Sequence, residues 1–142
     1  MARSGAMRIG AALVLVGAVA LVATRWAPPT SAPAARADIT LVYVGAEDCA
    51  PCRAWQSAEG KQFLGSAEIA RLNYREVKSP RARDILKDEY WPEDLRDHRD
   101  RLGRGAAVPL WLVISGDEVV ERGFGASQWH AAVLPRVKLM LR

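Results

Sequence analysis

Two cysteines three residues apart, Cys49 and Cys52, stand just beyond an apolar, β-branched run, Ile39-Thr40-Leu41-Val42-Tyr43-Val44. This junction constrains the fold more than any other feature of the chain. The run reads as a buried strand, because β-branched and aromatic side chains pack well on a pleated surface. Gly45 to Asp48 reads as a short loop, and the spacing predicts a helix from Cys49 to about Glu59. Pro51 is tolerated in its first turn, where a backbone N–H has no helical partner to lose. A thiolate at a helix start meets unpaired N–H groups and the positive end of the helix dipole, so its pKa falls. The second sulfur lies about one turn on, within reach of a disulfide. The outer thiol, Cys49, is then the attacking group, and the inner one, Cys52, resolves the mixed disulfide.

With only two cysteines in 142 residues a four-cysteine zinc site is excluded, and a disulfide-stapled scaffold usually has more cysteines, spread along the chain. His98 and His130 each stand alone, without metal-ligand spacing to the cysteines. No chemical role is expected of either, and no cofactor or metal is expected.

Downstream, a short helical stretch at Ser66–Ala70 precedes a second strand, Arg71 to Val77. Residues 81–102 are strongly charged and read as two helical pieces broken at Trp91-Pro92, since proline disfavours a helical residue before it. Residues 79–104 read as a solvated helical face carrying i,i+4 ion pairs. The sharper alternative is a partner-specific lid near the cysteines, with Trp91 as its anchor. Leu110 to Ile114 is a third, fully buried strand. Ser115-Gly116-Asp117 is a turn, and Glu118 to Arg122 completes a hairpin. Ser127 is placed as the cap of a last helix, whose apolar stripe is Trp129, Val133, Val137 and Leu141 and which Pro135 should bend. Trp55, Trp111 and Trp129 are expected in or beside the core. The order strand, helix, strand, helices, hairpin, helix describes an α/β domain with a mixed sheet and helices on both faces.

The first 37 residues are a separate matter. Arg3 and Arg8 precede an unbroken 15-residue apolar or small run, Ile9 to Ala23, followed by Arg25-Trp26 and a Pro/Ala/Ser stretch to Ala37. A basic region before such a run reads as a secretory signal. The run is short for a bilayer span, which takes about 17–25 residues. Arg25 at the interface could still let residues 9–24 serve as a tether. Ala35-Arg36-Ala37 offers a cleavage site before Asp38. Cleavage and anchoring both stay open, and both put residues 38–142 outside the cytoplasm, in the periplasm. A buried core helix is the bland alternative.

The charge balance supports that division. The net charge of +4 comes wholly from Arg3, Arg8, Arg25 and Arg36, and from Asp38 onward acids and bases balance. Nucleic-acid binding is therefore not expected, because it needs a cationic surface to displace counterions.

Three segments together resemble the thioredoxin superfamily over roughly residues 39–141: Val42-Tyr43-Val44-Gly45-Ala46-Glu47-Asp48-Cys49-Ala50-Pro51-Cys52, Ala107-Val108-Pro109-Leu110-Trp111-Leu112-Val113-Ile114, and Gly116 to Gly125. The resemblance implies a thioredoxin fold, a four-stranded mixed sheet flanked by helices, here with an extended helical segment before the third strand. It also implies a cis bond at Pro109 beside the disulfide, and pairing of the Val108 backbone with an extended substrate. The implied activity is thiol–disulfide exchange with client protein thiols or disulfides, more as reductant than oxidant, fed by a membrane electron donor or acceptor.

This chain departs from the family pattern at two places. The buried acid that thioredoxins carry six residues before the first cysteine is Tyr43 here, and the tryptophan before the motif is Asp48. Glu47 and Asp48 would oppose ionisation of Cys49, which the helix dipole favours. Two other readings of the cysteine pair stay open: a chaperone holding a soft ion such as Cu(I), and an interaction module with a static disulfide.

Overall fold

The computed structural model describes residues 37–142, so the leader, tether and cleavage readings lie outside the described residues. Four strands form one sheet in the order β2-β1-β3-β4. They are β1 (Ile39–Ala46), β2 (Asn73–Ser79), β3 (Leu110–Ser115) and β4 (Glu118–Phe124). β1 pairs in parallel with β2 and antiparallel with β3, which pairs antiparallel with β4. The sheet is mixed because β1 reaches β2 through a helical crossover, whereas β3 and β4 are joined by the expected tight turn.

Side chains alternate along β1 and β3 and build a core on each face. Leu41, Tyr43, Trp111 and Val113 face one side, where they meet Trp55, Phe63, Trp129, Val133 and Val137. Val42, Val44, Leu110, Leu112 and Ile114 face the other, against Val77, Ile85, Trp91 and Leu95. A strand buried on both faces is apolar at nearly every position, which is why these two were legible as continuous runs.

Several boundaries move. β1 runs on through Gly45 and Ala46, which pair with Lys78 and Ser79 of β2. β2 correspondingly begins and ends two residues later than expected, and Ile69–Arg71 forms a 3-10 turn before it. The helix after the cysteines is α1 (Ala50–Trp55), which continues through a π-helical turn, Gln56–Gly60, into α2 (Lys61–Leu64). It thus runs five residues beyond Glu59. The last helix begins at Gly125 rather than being capped by Ser127. Gly125 has a φ of 76°, which only glycine adopts readily, and its N–H donates to the Pro109 carbonyl. Helix α4 (Gly125–Gln128) there passes through a second π-helical turn, Trp129–Val133, into a further helix (Leu134–Met140). Pro135 sits at the start of that piece, so the missing N–H is accommodated by the π-helical turn just before it.

Residues 81–102 differ most. In place of two helices, three 3-10 turns (Ala82–Asp84, Asp88–Tyr90, Glu93–Leu95) lead into the short helix α3 (Arg96–Asp100). The ion pairs are not i,i+4 pairs along a helix: Arg75 of β2 reaches Asp94, Lys87 pairs with Asp84 three residues before it, and Arg99 of α3 pairs with Asp88 and with its neighbour Asp100. Trp91 anchors the segment, but to the sheet rather than over the cysteines. It is 2% exposed and packs in the second core, and its indole N–H donates to the Ile85 carbonyl at 2.6 Å. Such a ring cannot swing out to a partner without opening that core. Among the described residues, no helix is long and apolar enough to cross a membrane.

Candidate functional site

The two cysteines close a disulfide where β1 hands over to α1, with Cα atoms 5.2 Å apart. Cys49 is the N-cap residue, and its Sγ accepts the Cys52 N–H at 3.2 Å. A helix start leaves such N–H groups without helical partners, so the sulfur takes the place of a capping oxygen. The same donor would stabilise a thiolate at Cys49 once the disulfide opens. Cys49 is 7% exposed and Cys52 is 0% exposed, so any contact with a partner falls to Cys49.

Val108 and Pro109, far along the chain, come to the same place. The Val108–Pro109 peptide bond is cis. The Val108 carbonyl oxygen lies 3.7 Å from Cys49 Sγ, and the Val108 side chain packs on the small cluster of Ala46, Cys49 and Cys52. All four residues singled out in the sequence are therefore brought together. Val108 sits between the sulfur and β3, which starts at Leu110.

The loop before Cys49 is pinned from the end of β2. Glu47 N–H donates to the Ser79 carbonyl and Asp48 N–H to the Pro80 carbonyl. The Asp48 carboxylate in turn accepts the Ala82 N–H at 2.8 Å, capping the first 3-10 turn. The carboxylate expected to oppose ionisation of Cys49 thus has a backbone partner of its own. Arg53 donates to the Glu47 carbonyl, which ties the first turn of α1 to the same loop. Nothing in the spacing of residues 46–82 signals these links. Only the parallel register of β1 and β2 brings Asp48 and Ala82 together.

Beneath the disulfide lies Tyr43, wholly buried, with its ring stacked on Trp55 at 4.6 Å between centroids. Its ring passes over Gly45, two residues on along the same strand face. A Cβ at Gly45 would fall 2.4 Å from the Tyr43 hydroxyl, so no larger residue fits there without moving the ring. The hydroxyl accepts a hydrogen bond from Gln56 Nε2 at 3.0 Å and lies 3.5 Å from the Cys52 carbonyl oxygen. Gln56 had not been singled out. Its position four residues after Cys52, one turn along the helix, was the available signal.

Burial pushes the Tyr43 phenol up from 10.0 to about 12, partly offset by the Gln56 hydrogen bond and reinforced by the charge of Glu76. The folded domain thus holds this proton more tightly than the unfolded chain does. Its contribution to stability is complete below about pH 10 and is lost as the pH rises towards 12. Titration followed by phenolate absorbance should therefore show, as the difference between wild type and Tyr43→Phe, an ionisation well above 10. An ionisation in that difference at the ordinary value would contradict the burial described.

Of the two lone histidines, His130 bridges to Glu59 at 2.8 Å, joining the two long helical runs at their surface. His98 is the buried residue of α3, on the opposite face of the sheet from those runs. Among the described residues, no group of three or more His, Cys, Asp or Glu is placed to hold a metal ion.

No family model matches the chain, and no curated protein matches it in sequence. Solved structures do. The reduced periplasmic thioredoxin SoxS from Paracoccus pantotrophus is 14% identical, with a TM-score of 0.50 over 72% of this chain and 95% of its own. The long form of thioredoxin f from spinach chloroplast is 15% identical, with a TM-score of 0.52 over 78% of this chain and 76% of its own. At such identities the likeness carries the fold, and the domain has the thioredoxin fold.

Proposed function

We propose that this thioredoxin-fold domain is a thiol–disulfide oxidoreductase that exchanges disulfides with client proteins through Cys49 and Cys52, outside the cytoplasm and in the reducing direction. One observation carries the reading: a disulfide sits at a helix start, its Cys49 sulfur accepting a backbone N–H and that residue keeping 7% exposure, while Cys52 is fully buried. A disulfide that only stapled elements would join parts of the chain far apart in sequence, where loop closure stabilises most. This one spans three residues. In the reducing direction the Cys49 thiolate attacks a client disulfide. One client sulfur leaves as a thiolate and a mixed disulfide with Cys49 forms. Cys52 then gives up its proton and attacks Cys49 Sγ, releasing the second client sulfur. The two electrons come from the reduced pair, which a donor must restore.

Val108 supplies the backbone edge beside Cys49 along which an extended client segment would lie, in the manner of strand addition. Export rests on the basic, apolar leader and the electroneutral chain that follows it, and the periplasmic thioredoxin among the structural neighbours agrees with it. A membrane electron donor and a tether through residues 9–24 belong to the same reading. The purified protein should equilibrate as a two-electron couple in mixtures of reduced and oxidised glutathione, and it should accelerate reduction of insulin disulfides by dithiothreitol. A disulfide that neither opens nor re-forms across that range would overturn the proposal. A reporter active only in the periplasm, fused after Asp38, should be active. An inactive reporter would refute export.

A further inference from the structure

The structure assigns to Tyr43 and Gln56 the positioning of Cys52 for its attack on the mixed disulfide. The inference rests on the exchange reading above and adds residues that do not touch the reacting sulfurs.

The contacts form a closed ring about one carbonyl. The Gln56 backbone N–H donates to the Cys52 oxygen. The Gln56 side chain reaches back and donates from Nε2 to the Tyr43 hydroxyl. The hydroxyl can donate in turn to the same Cys52 oxygen, 3.5 Å away. Such a bond is long, as positioning bonds often are before the reacting state is reached. The ring is held from outside by the stack on Trp55 and by the space left at Gly45. With the disulfide closed, the covalent bond fixes Cys52 and the ring is redundant. Once Cys49 is joined to another sulfur, the ring adds to the helix in holding the Cys52 backbone in place.

In that step the Cys52 proton passes to solution, the Cys52–Cys49 bond forms, and the bond from Cys49 to the client sulfur breaks, its electron pair leaving on the client sulfur. The Tyr43 phenol takes no proton. It acts as a neutral donor throughout the neutral range, in keeping with its raised pKa.

Ellman's reagent separates the two steps. Mixed with the reduced protein, it releases one thionitrobenzoate when Cys49 attacks and a second when Cys52 displaces the one left on Cys49. Tyr43→Phe should slow the second release roughly threefold to tenfold, the range set by the net worth of one hydrogen bond. The first release should stay within about twofold, since Cys49 keeps its backbone donor. Gln56→Met, at a half-buried position, should act in the same direction. The double variant should lose little more than either single one, because both break one ring. A merely structural role would lower the melting temperature and leave the ratio of the two rates alone. An unchanged ratio in both single variants, or both steps slowing together, would overturn the inference. Failure of the wild-type protein to release a second thionitrobenzoate would instead strike the exchange reading, and the inference with it.

Discussion

Cys49→Ser is expected to reduce catalysed disulfide exchange to the uncatalysed background, while Cys52→Ser should accumulate stable mixed disulfides. The asymmetry follows from the position of each sulfur. Cys49 caps the helix, keeps a small exposed area and receives the Cys52 N–H, whereas Cys52 is on the buried face of the helix with none. Helix-start thiols ionise well below the ordinary value near 8.5, and a fall of one unit gives roughly tenfold more thiolate at neutral pH. Access and ionisation thus favour the same residue. In the reduced protein, iodoacetamide should alkylate Cys49 about tenfold faster than Cys52, or more. Peptide mapping after timed quenching reads this directly, and equal rates would reverse the assignment. With Cys52→Ser the attacking thiol remains but the resolving one is gone, so clients stay joined to Cys49. That variant is therefore also the means of capturing the natural clients.

Trp129→Ala should be the most damaging single change outside the disulfide. Trp129 is 1% exposed and lies among Trp55, Phe63 and Trp111, with ring centroids 5.1, 5.2 and 5.4 Å away. Those rings come from the cysteine helix, its continuation and β3, so this residue joins the last helical run to the element that carries the site. Truncating a buried tryptophan costs about 3–5 kcal/mol. A domain of this size has only about 5–15 kcal/mol in all. Thermal unfolding of the oxidised protein should fall by roughly 15–25 °C, and Trp129→Phe should recover much of the loss. A melting temperature within a few degrees of wild type would show that the cluster collapses around the vacancy or is not packed as described.

Much of the fold was legible in the sequence because its signals are local. β1 and β3 are buried on both faces, so their apolar runs announce strands without any partner in view. The cysteine pair after a strand places a helix start, and the stripe Trp129, Val133, Val137 and Leu141 marks the buried side of the last helix even though a π-helical turn interrupts it. Cys49, Cys52 and Val108 come together in the structure, with Pro109 joined to Val108 by a cis bond. The cysteines follow from spacing and context, whereas Val108 and Pro109 depended on a family resemblance.

What the sequence could not determine by itself are contacts between residues distant along the chain. Strand ends moved by two residues because pairing, not propensity, decides where a ladder stops. Gly45 and Ala46 are strand because Lys78 and Ser79 lie beside them. Residues 81–102 carry helical composition, yet as far as Leu95 they form 3-10 turns, because Ile85, Trp91 and Leu95 must all reach one sheet face over a short path. Asp48 caps a turn that begins at Ala82, and Tyr43 meets Gln56 across the strand–helix junction. A carboxylate, a phenol and an amide carry no mark of their eventual partners. Cysteine spacing and apolar periodicity are properties of neighbouring residues and can be read from the sequence. The polar contacts that pin the loop before Cys49 and close the ring beneath Cys52 exist only once the packed sheet brings their ends together.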